Sequence, residues 1–454
     1  MKKLITTLGC CLLMATASFS QWTTVCGTGN GMVVNMVPVG SDIYATGFFT
    51  NICGENAKHI ARYDGASWHA MDTGLTDAGH RISDIGGTLY ISPYMQSADS
   101  NWVLKWDGSH FSRVGEGVYL STVSPMSSRV PNIYDVVSYR GRLVACGEFD
   151  IVGGRPIKGI MQWNGTQWDS VGSGLSGEVV LTGVIYPHQM LVIDTSLYVV
   201  GNFKYAGGVT VNGIARWDGY NWHAMGAGFN NFVYALAMVN GELYAGGEFT
   251  MSGSTVLQRI ARWNGTDWVH PGFGVYYSTV AMHAYVHTIG AGGTRGIFEG
   301  GFDRVIIGSD TINARSIIAF GGGTVSTLDG GITNGELEGL ITYDDTALLV
   351  GGATFSAGAA SRVSRYRFHD LSVNGTAVGD IKVYPQPFTN TLIIETTTTT
   401  HTAHLLDMMG RETGRYTLAK GVSELALGHL PPAMYVLELT DANGNITYKK
   451  VLKQ

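Results

Sequence analysis

"RWDGYNW", Arg216–Trp222, sets an Asp-Gly pair between two tryptophans, and the chain repeats the phrase as "RYDGASW", "KWDGSHF", "QWNGTQW" and "RWNGTDW". Aligned on the first aromatic, the phrase recurs at Tyr63, Trp106, Trp163, Trp217, Trp263, Phe320 and Tyr366, which makes seven units spaced 43 to 57 residues apart. An Asp-Gly or Asn-Gly pair is the strongest short hairpin signal, because the turn requires positive φ at its centre. A two-residue loop would set Trp217 and Trp222 diagonally. A four-residue loop, Asp218 to Asn221, would set them opposite each other, and in both cases the indoles share a face. Asp64, Asp107, Asn164, Asp218 and Asn264 therefore read as turn residues rather than as catalytic groups.

Ahead of most of these aromatics runs an apolar strand ending in Gly and Phe: "IYATGFF", "LVACGEF", "LYVVGNF", "LYAGGEF", "IFEGGF" and "LLVGGATF". Each unit carries four short strand signals, as in "VYALAMV", "ELYAGGEF", "RIARWNG" and "DWVHPG". The expected fold is all-β, a seven-bladed β-propeller with four antiparallel strands per blade. The last unit, "SRVSRYRFHD", lacks its fourth strand, and "QWTTVCGTG" from Gln21 supplies that pattern, with Cys26 as one inserted residue. The N-terminal strand is thus expected to complete the seventh blade and close the ring. Trp22, Trp68, Trp168, Trp222 and Trp268 then join Tyr63, Trp106, Trp163, Trp217 and Trp263 as aromatics that pack one sheet on the next.

Composition agrees with this fold. The 454 residues include 63 Gly and only 14% charged residues, the profile of a β protein with many tight turns. The formal charge of −6, or −8 once Lys2 and Lys3 are removed with the leader, argues against a general nucleic-acid or anionic-membrane binder.

Residues 1–20 have a basic start, an apolar stretch from Leu4 to Ala17 and small residues at Ser18 and Ser20, the layout of a secretory signal peptide. No membrane span is expected in the mature chain. Three cysteines remain there, Cys26, Cys53 and Cys146, enough for one bridge with a thiol left over. The domains expected are 1–20 signal peptide, 21–370 propeller, 371–380 linker and 381–454 a small C-terminal β-sandwich.

"LYAGGEF" followed by "RIARWNGTDW" resembles a kelch-type repeat. It is closer still to the repeats of the cortical cell-polarity marker family and related bacterial secreted propellers. The tail segments "IKVYPQPFTNTLIIE", "HLLDMMGRETGRY" and "LPPAMYVLELTDANGNITYKKVLKQ" resemble the type A C-terminal sorting domain of type IX secretion cargo in Bacteroidota. Pro385, Pro387, Asp407, Gly410, Arg411, Tyr435, Lys449 and Lys450 stand at positions of that motif, while Gln386 and Ala433 replace its usual Asn and Gly. The resemblance implies export by the type IX machinery, followed by release or attachment at the cell surface.

No Ser-His-Asp order, nucleophile elbow, phosphate loop or calcium loop is visible. No cofactor and no metal is expected. "MHAYVHT" places His283, Tyr285 and His287 on one side of a strand, either the start of a metal site or ordinary packing and channel lining. The long additions "VYLSTVSPMSSRVPN", "SGEVVLTGVIYPHQM" and "DRVIIGSDTINARS" reach the face opposite the Asp-Gly turns, which makes that face the functional one. Glu148, Asn202 and Glu248 end their second strands at its rim, as ligand contacts or as loop caps. The expectation is a secreted or surface-displayed, non-catalytic module that binds a glycan, a protein or a cell surface. The alternatives are a polysaccharide-active hydrolase or lyase, and a structural cell-coat protein.

Overall fold

A computed structural model of the chain describes residues 22–26, 29–94, 100–121, 130–180, 185–279, 283–292, 295–321, 323–328, 337–344, 347–352, 363–367, 381–385, 387–396, 401–406, 412–431, 433–440 and 446–453. The expected leader and the whole of the expected linker lie outside them. The described residues form strands, turns and bends, with no helix among them. The chain divides into two compact units, Met1–Arg367 and Phe368–Gln454.

The first unit repeats one antiparallel sheet of four strands. Val233–Val239, Glu242–Gly247, Ile260–Trp263 and Trp268–Val269 lie side by side in that order. Sheets of the same plan begin at Val33, Asn132, Tyr186, Thr288 and Leu337. The sheet that begins at Ala78 is extended to six strands by the hairpin Ile151–Val152 and Arg155–Pro156. In the sheet that begins at Leu337, the fourth strand is Trp22–Cys26, which pairs antiparallel with Val363–Arg367. Its Trp22 stands opposite Tyr366, just as Trp222 stands opposite Trp217, and the register slips between Thr24 and Cys26. Cys53, whose Sγ lies 3.8 Å from the Val25 carbonyl, is disulfide-bonded, whereas Cys146 is a buried free thiol.

The first strands of successive sheets are neighbours. Val33–Val39 lies against Ala78–Ile85, and the series continues through Asn132–Tyr139, Tyr186–Ile193, Val233–Val239, Thr288–Gly292 and Leu337–Asp344 back to Val33–Val39.

Each signature phrase has a mechanical reason. Trp217 and Trp222 are register partners, so the turn is the four-residue loop Asp218 to Asn221. Its Asp218 Oδ1 accepts from the Tyr220 and Asn221 amides at 2.8 Å, and Gly219 takes the left-handed φ of 102°. Those bonds hold the Asp218 carboxyl well below the usual range, the Ser67 and Ala66 amides do the same for Asp64, and Asp107 is lowered to about 2 by the His110 and Ser109 amides. The glycine that ends the second strand is dictated by a close approach. A Cβ on Gly247 would sit 2.1 Å from the Phe232 carbonyl oxygen, and one on Gly147 2.0 Å from that of Asn132. The phenylalanine that follows, as at Phe149, Phe203 and Phe249, is fully buried between sheets.

The second tryptophan of the phrase packs against the preceding sheet. Trp168 is fully buried among Val103 and Val118, and its Nε1 donates to the Val114 carbonyl at 2.9 Å. Trp222 repeats this with Val171. Paired rings such as Trp163 and Trp168, 5.3 Å apart, add about 1 kcal/mol each beyond area burial.

The second unit contains two antiparallel sheets. One holds Lys382–Tyr384, Thr391–Thr396 and Gly421–Ala426, and the other Glu412–Leu418, His401–Leu406, Ala433–Thr440 and Ile446–Lys453. Leu392 and Ile394 of the first and Leu405, Leu437 and Val451 of the second share one core, with Phe388 fully buried in it.

Deleting residues 21 to 30 removes the partner of Val363–Arg367 and exposes a sheet edge. The melting temperature is expected to fall by at least about 5 °C, read by calorimetry against the intact chain.

Candidate functional site

Six of the sheets contribute to one cavity at or beside their first strands, and the side chains lining it come from the same place in successive sheets. In Val33–Val39, Ala78–Ile85, Asn132–Tyr139, Tyr186–Ile193 and Val233–Val239 the register slips by one residue near the start. The extra residues are Val34, His80, Tyr134, His188 and Tyr234. A bulge frees its residue from the ladder and re-aims its side chain, and all five line one narrow pocket of about 30 Å³ together with His287. Leu337–Asp344 slips at the same place, which puts Glu338 at the corresponding register position.

In three of these strands the next residue ties neighbouring sheets together. Asn35 Oδ1 accepts from the Ile82 amide at 3.1 Å, Asp135 Oδ2 from Met190 at 2.7 Å, and Gln189 Oε1 from Leu236 at 2.7 Å. Asp135, 1% exposed, also accepts from the Val136 amide on Oδ1, and the Arg81 guanidinium is ion-paired with that oxygen, Nε lying 3.2 Å away.

Around the pocket runs a belt of aromatic rings at the end of the unit where first strands begin and second strands finish, opposite the Asp-Gly turns. Ring centroids are 5.7 Å apart from Phe48 to Tyr94, 6.1 Å from Tyr94 to His80, 5.3 Å from His80 to Tyr134 and 4.2 Å from Tyr134 to Tyr186. The belt continues to Phe232 at 6.4 Å, on to Tyr234 at 5.6 Å and to Tyr285 at 6.3 Å. Phe48, Tyr94, Tyr186, Phe232 and Tyr285 are only half-buried, so they offer ring surface to a ligand.

The candidate residues from sequence take different roles, some at this belt and some away from it. Glu148 accepts from the Tyr134 hydroxyl at 3.2 Å, and Glu248 from the Tyr234 hydroxyl at 2.8 Å. Burial pushes both phenols up, helped at Tyr134 by Tyr186 and at Tyr234 by the Glu248 carboxylate. Asn202 is fully buried and caps its loop, since its Oδ1 takes the Val179 and Val180 amides and its Nδ2 donates to the Val180 carbonyl. His283 is exposed, whereas His287 faces His188 with ring centroids 5.0 Å apart. His80 and His188, the remaining imidazoles, come from other sheets, 6.4 Å apart. Among the described residues no group of three His, Cys, Asp or Glu could hold a metal ion.

In the second unit, Pro385 and Pro387 precede the buried Phe388, and the Tyr435 hydroxyl donates to the Pro431 carbonyl at 2.9 Å. Lys449 is exposed on the last strand, where Lys450 stands opposite Val436. Asp407, Gly410, Arg411 and Gln386 lie outside the described residues.

Residues 382–454 match the family model of the secretion system C-terminal sorting domain. The chain therefore carries a type IX sorting domain and is a secreted or outer-membrane surface-attached protein. No curated protein sequence matches the chain. Among solved structures it is similar to PorZ, a surface component of the type IX secretion system of Porphyromonas gingivalis, at 12% identity and a TM-score of 0.45, covering 96% of this chain and 60% of that one. It is similar also to the extracellular domain of a putative hybrid two-component system of B. thetaiotaomicron, at 11% and 0.42, covering 94% and 57%. A third likeness is to the WD40 β-propeller domain of Doa1, at 12% and 0.35, covering 63% and 96%. The chain spans about three fifths of the length of the first two. Among the described residues no helix is long and apolar enough to cross a membrane.

The three imidazoles are held neutral in the folded chain. Burial, reinforced by the Arg81 guanidinium, lowers His80 to about 3 and His287 to about 4, and burial with the neighbouring imidazoles takes His188 well below its ordinary value. A histidine whose pKa falls on folding stabilises the fold above its unfolded value of about 6.5 and gives that stability up as pH drops below it. Urea unfolding at pH 5 is expected to show a loss of at most about 2 kcal/mol per histidine relative to pH 7.5. His287→Gln should flatten that slope.

Proposed function

We propose that the first unit is a closed seven-bladed β-propeller of kelch-like repeats, that Trp22–Cys26 completes its last blade, and that it works outside the cell as a non-catalytic binding module. Support for the ring comes from seven sheets of one plan whose first strands neighbour one another in a cycle, together with the Trp22 to Tyr366 register. The type IX machinery handles the chain through its tail.

The observation that carries the binding role is the aromatic belt. Half-buried Tyr186, Phe232 and Tyr285 form a shallow, rigid set of rings over a pocket of only about 30 Å³, too small to enclose a substrate. Such rings suit the apolar face of a sugar or an extended peptide, since two χ angles cost little entropy on binding. Glu148 and Glu248 hold Tyr134 and Tyr234 in place, so they act as positioning residues for the belt.

The test is retention of the purified chain on a broad array of glycans, scored for both binding and loss of substrate. Binding without turnover, weakened about tenfold by Tyr186→Ala or Phe232→Ala, is the expected result. Turnover of any glycan overturns the non-catalytic reading, and silence on all of them moves the ligand to a protein or to the cell coat.

A further inference from the structure

Away from the aromatic belt the cavity widens to about 680 Å³, lined by first strands from five of the sheets. Asn35, Arg81, Asp135 and Gln189 line it, and three of these four also border the narrow pocket above. What they present follows from how the sheets are tied. The oxygens of Asn35 and Gln189 are taken by the Ile82 and Leu236 amides, and both oxygens of Asp135 are occupied by the Val136 and Met190 amides and by Arg81 Nε. An amide oxygen fixed by a backbone N–H also fixes the orientation of its NH2 group.

The side-chain oxygens of Asn35, Gln189 and Asp135 are therefore engaged, and the nitrogens beside them remain as donors. Nη1 and Nη2 of Arg81, Nδ2 of Asn35 and Nε2 of Gln189 meet no protein acceptor among the described residues. The Arg81 side chain is one-third exposed, so its outer edge is reachable. The remaining carboxylate in the lining, Asp84, is exposed, and its Oδ1 accepts the Gly87 amide at 2.9 Å.

We propose that this cavity is an oxyanion site, in which the Arg81 fork takes a carboxylate, sulfate or phosphate group two-pronged and the Asn35 and Gln189 amides close on it. Arginine is the residue suited to such pairing, because its planar fork matches two oxygens at once. The cavity volume falls in the range of small-ligand sites, so the acid group belongs to a ligand about the size of a mono- or disaccharide. The site opens away from the aromatic belt and does not depend on the reading of the belt.

Isothermal titration of the intact chain with sodium glucuronate, sulfate and phosphate, with glucose as the neutral control, tests the site and separates a sugar acid from an inorganic oxyanion. One equivalent of at least one oxyanion is expected to bind where glucose does not. Arg81→Lys keeps the charge but loses the fork, and should weaken binding about tenfold. Because Arg81 also bonds Asp135, Ser138→Trp provides a second variant, filling the cavity rim without touching that pair, and it should abolish binding. Tyr186→Ala should leave oxyanion binding unchanged. No binding of any of the three up to about 10 mM, or binding that survives both Arg81→Lys and Ser138→Trp, overturns the proposal.

Discussion

A sheet whose first strand lies at an edge has backbone N–H groups with no ladder partner on that side, and here those groups face the next sheet. Asn35, Asp135 and Gln189 meet them, each reaching from one first strand to the amide of Ile82, Met190 or Leu236 in the following one. An edge amide left unpaired and buried would cost about 1–3 kcal/mol, so the contact between sheets depends on these side chains as much as on apolar packing. They stand next to the bulged residues Val34, Tyr134 and His188, so the same short stretch of strand both ties the sheets and lines the pocket.

The same side chains divide the interior by polarity. On the belt side, phenols donate to Glu148 and Glu248, and the imidazoles are kept neutral by burial. On the other side, the oxygens of Asn35, Asp135 and Gln189 are engaged and the guanidinium and amide nitrogens beside them remain. A ligand arriving from one end meets rings, and a ligand arriving from the other meets N–H groups.

The repeating parts of this molecule were legible because they repeat. The Asp-Gly turn, the paired aromatics and the glycine before phenylalanine recur in phrase after phrase, and each is forced by local geometry: a capped turn, a ring on a sheet, a strand crossing a bulge. Four-stranded sheets and a separate β tail follow directly from them. The hairpin Ile151–Val152 with Arg155–Pro156 escaped notice because two-residue strands are too short to carry a period. The cavity escaped for the opposite reason. Its residues occupy one fixed place in each unit but are filled differently, as Val34, His80, Tyr134, His188 and Tyr234, so a search for sameness passes over them. His287 drew attention through its strand neighbours His283 and Tyr285, yet the imidazoles it meets belong to distant segments. Only positions that vary inside a constant frame could have pointed there.

The pairing of Trp22–Cys26 with Val363–Arg367 also bears on the order in which the chain acquires its structure. Trp22–Cys26 has its partner at the far end of the same unit, so the pair forms only after every intervening sheet has been synthesised. Contacts so distant in sequence form slowly because loop closure precedes any gain from them. Until the last strand arrives the chain is an open series of sheets with one unsatisfied edge at each extremity. Final compaction of the unit is thus postponed until Trp22–Cys26 and Val363–Arg367 are both available.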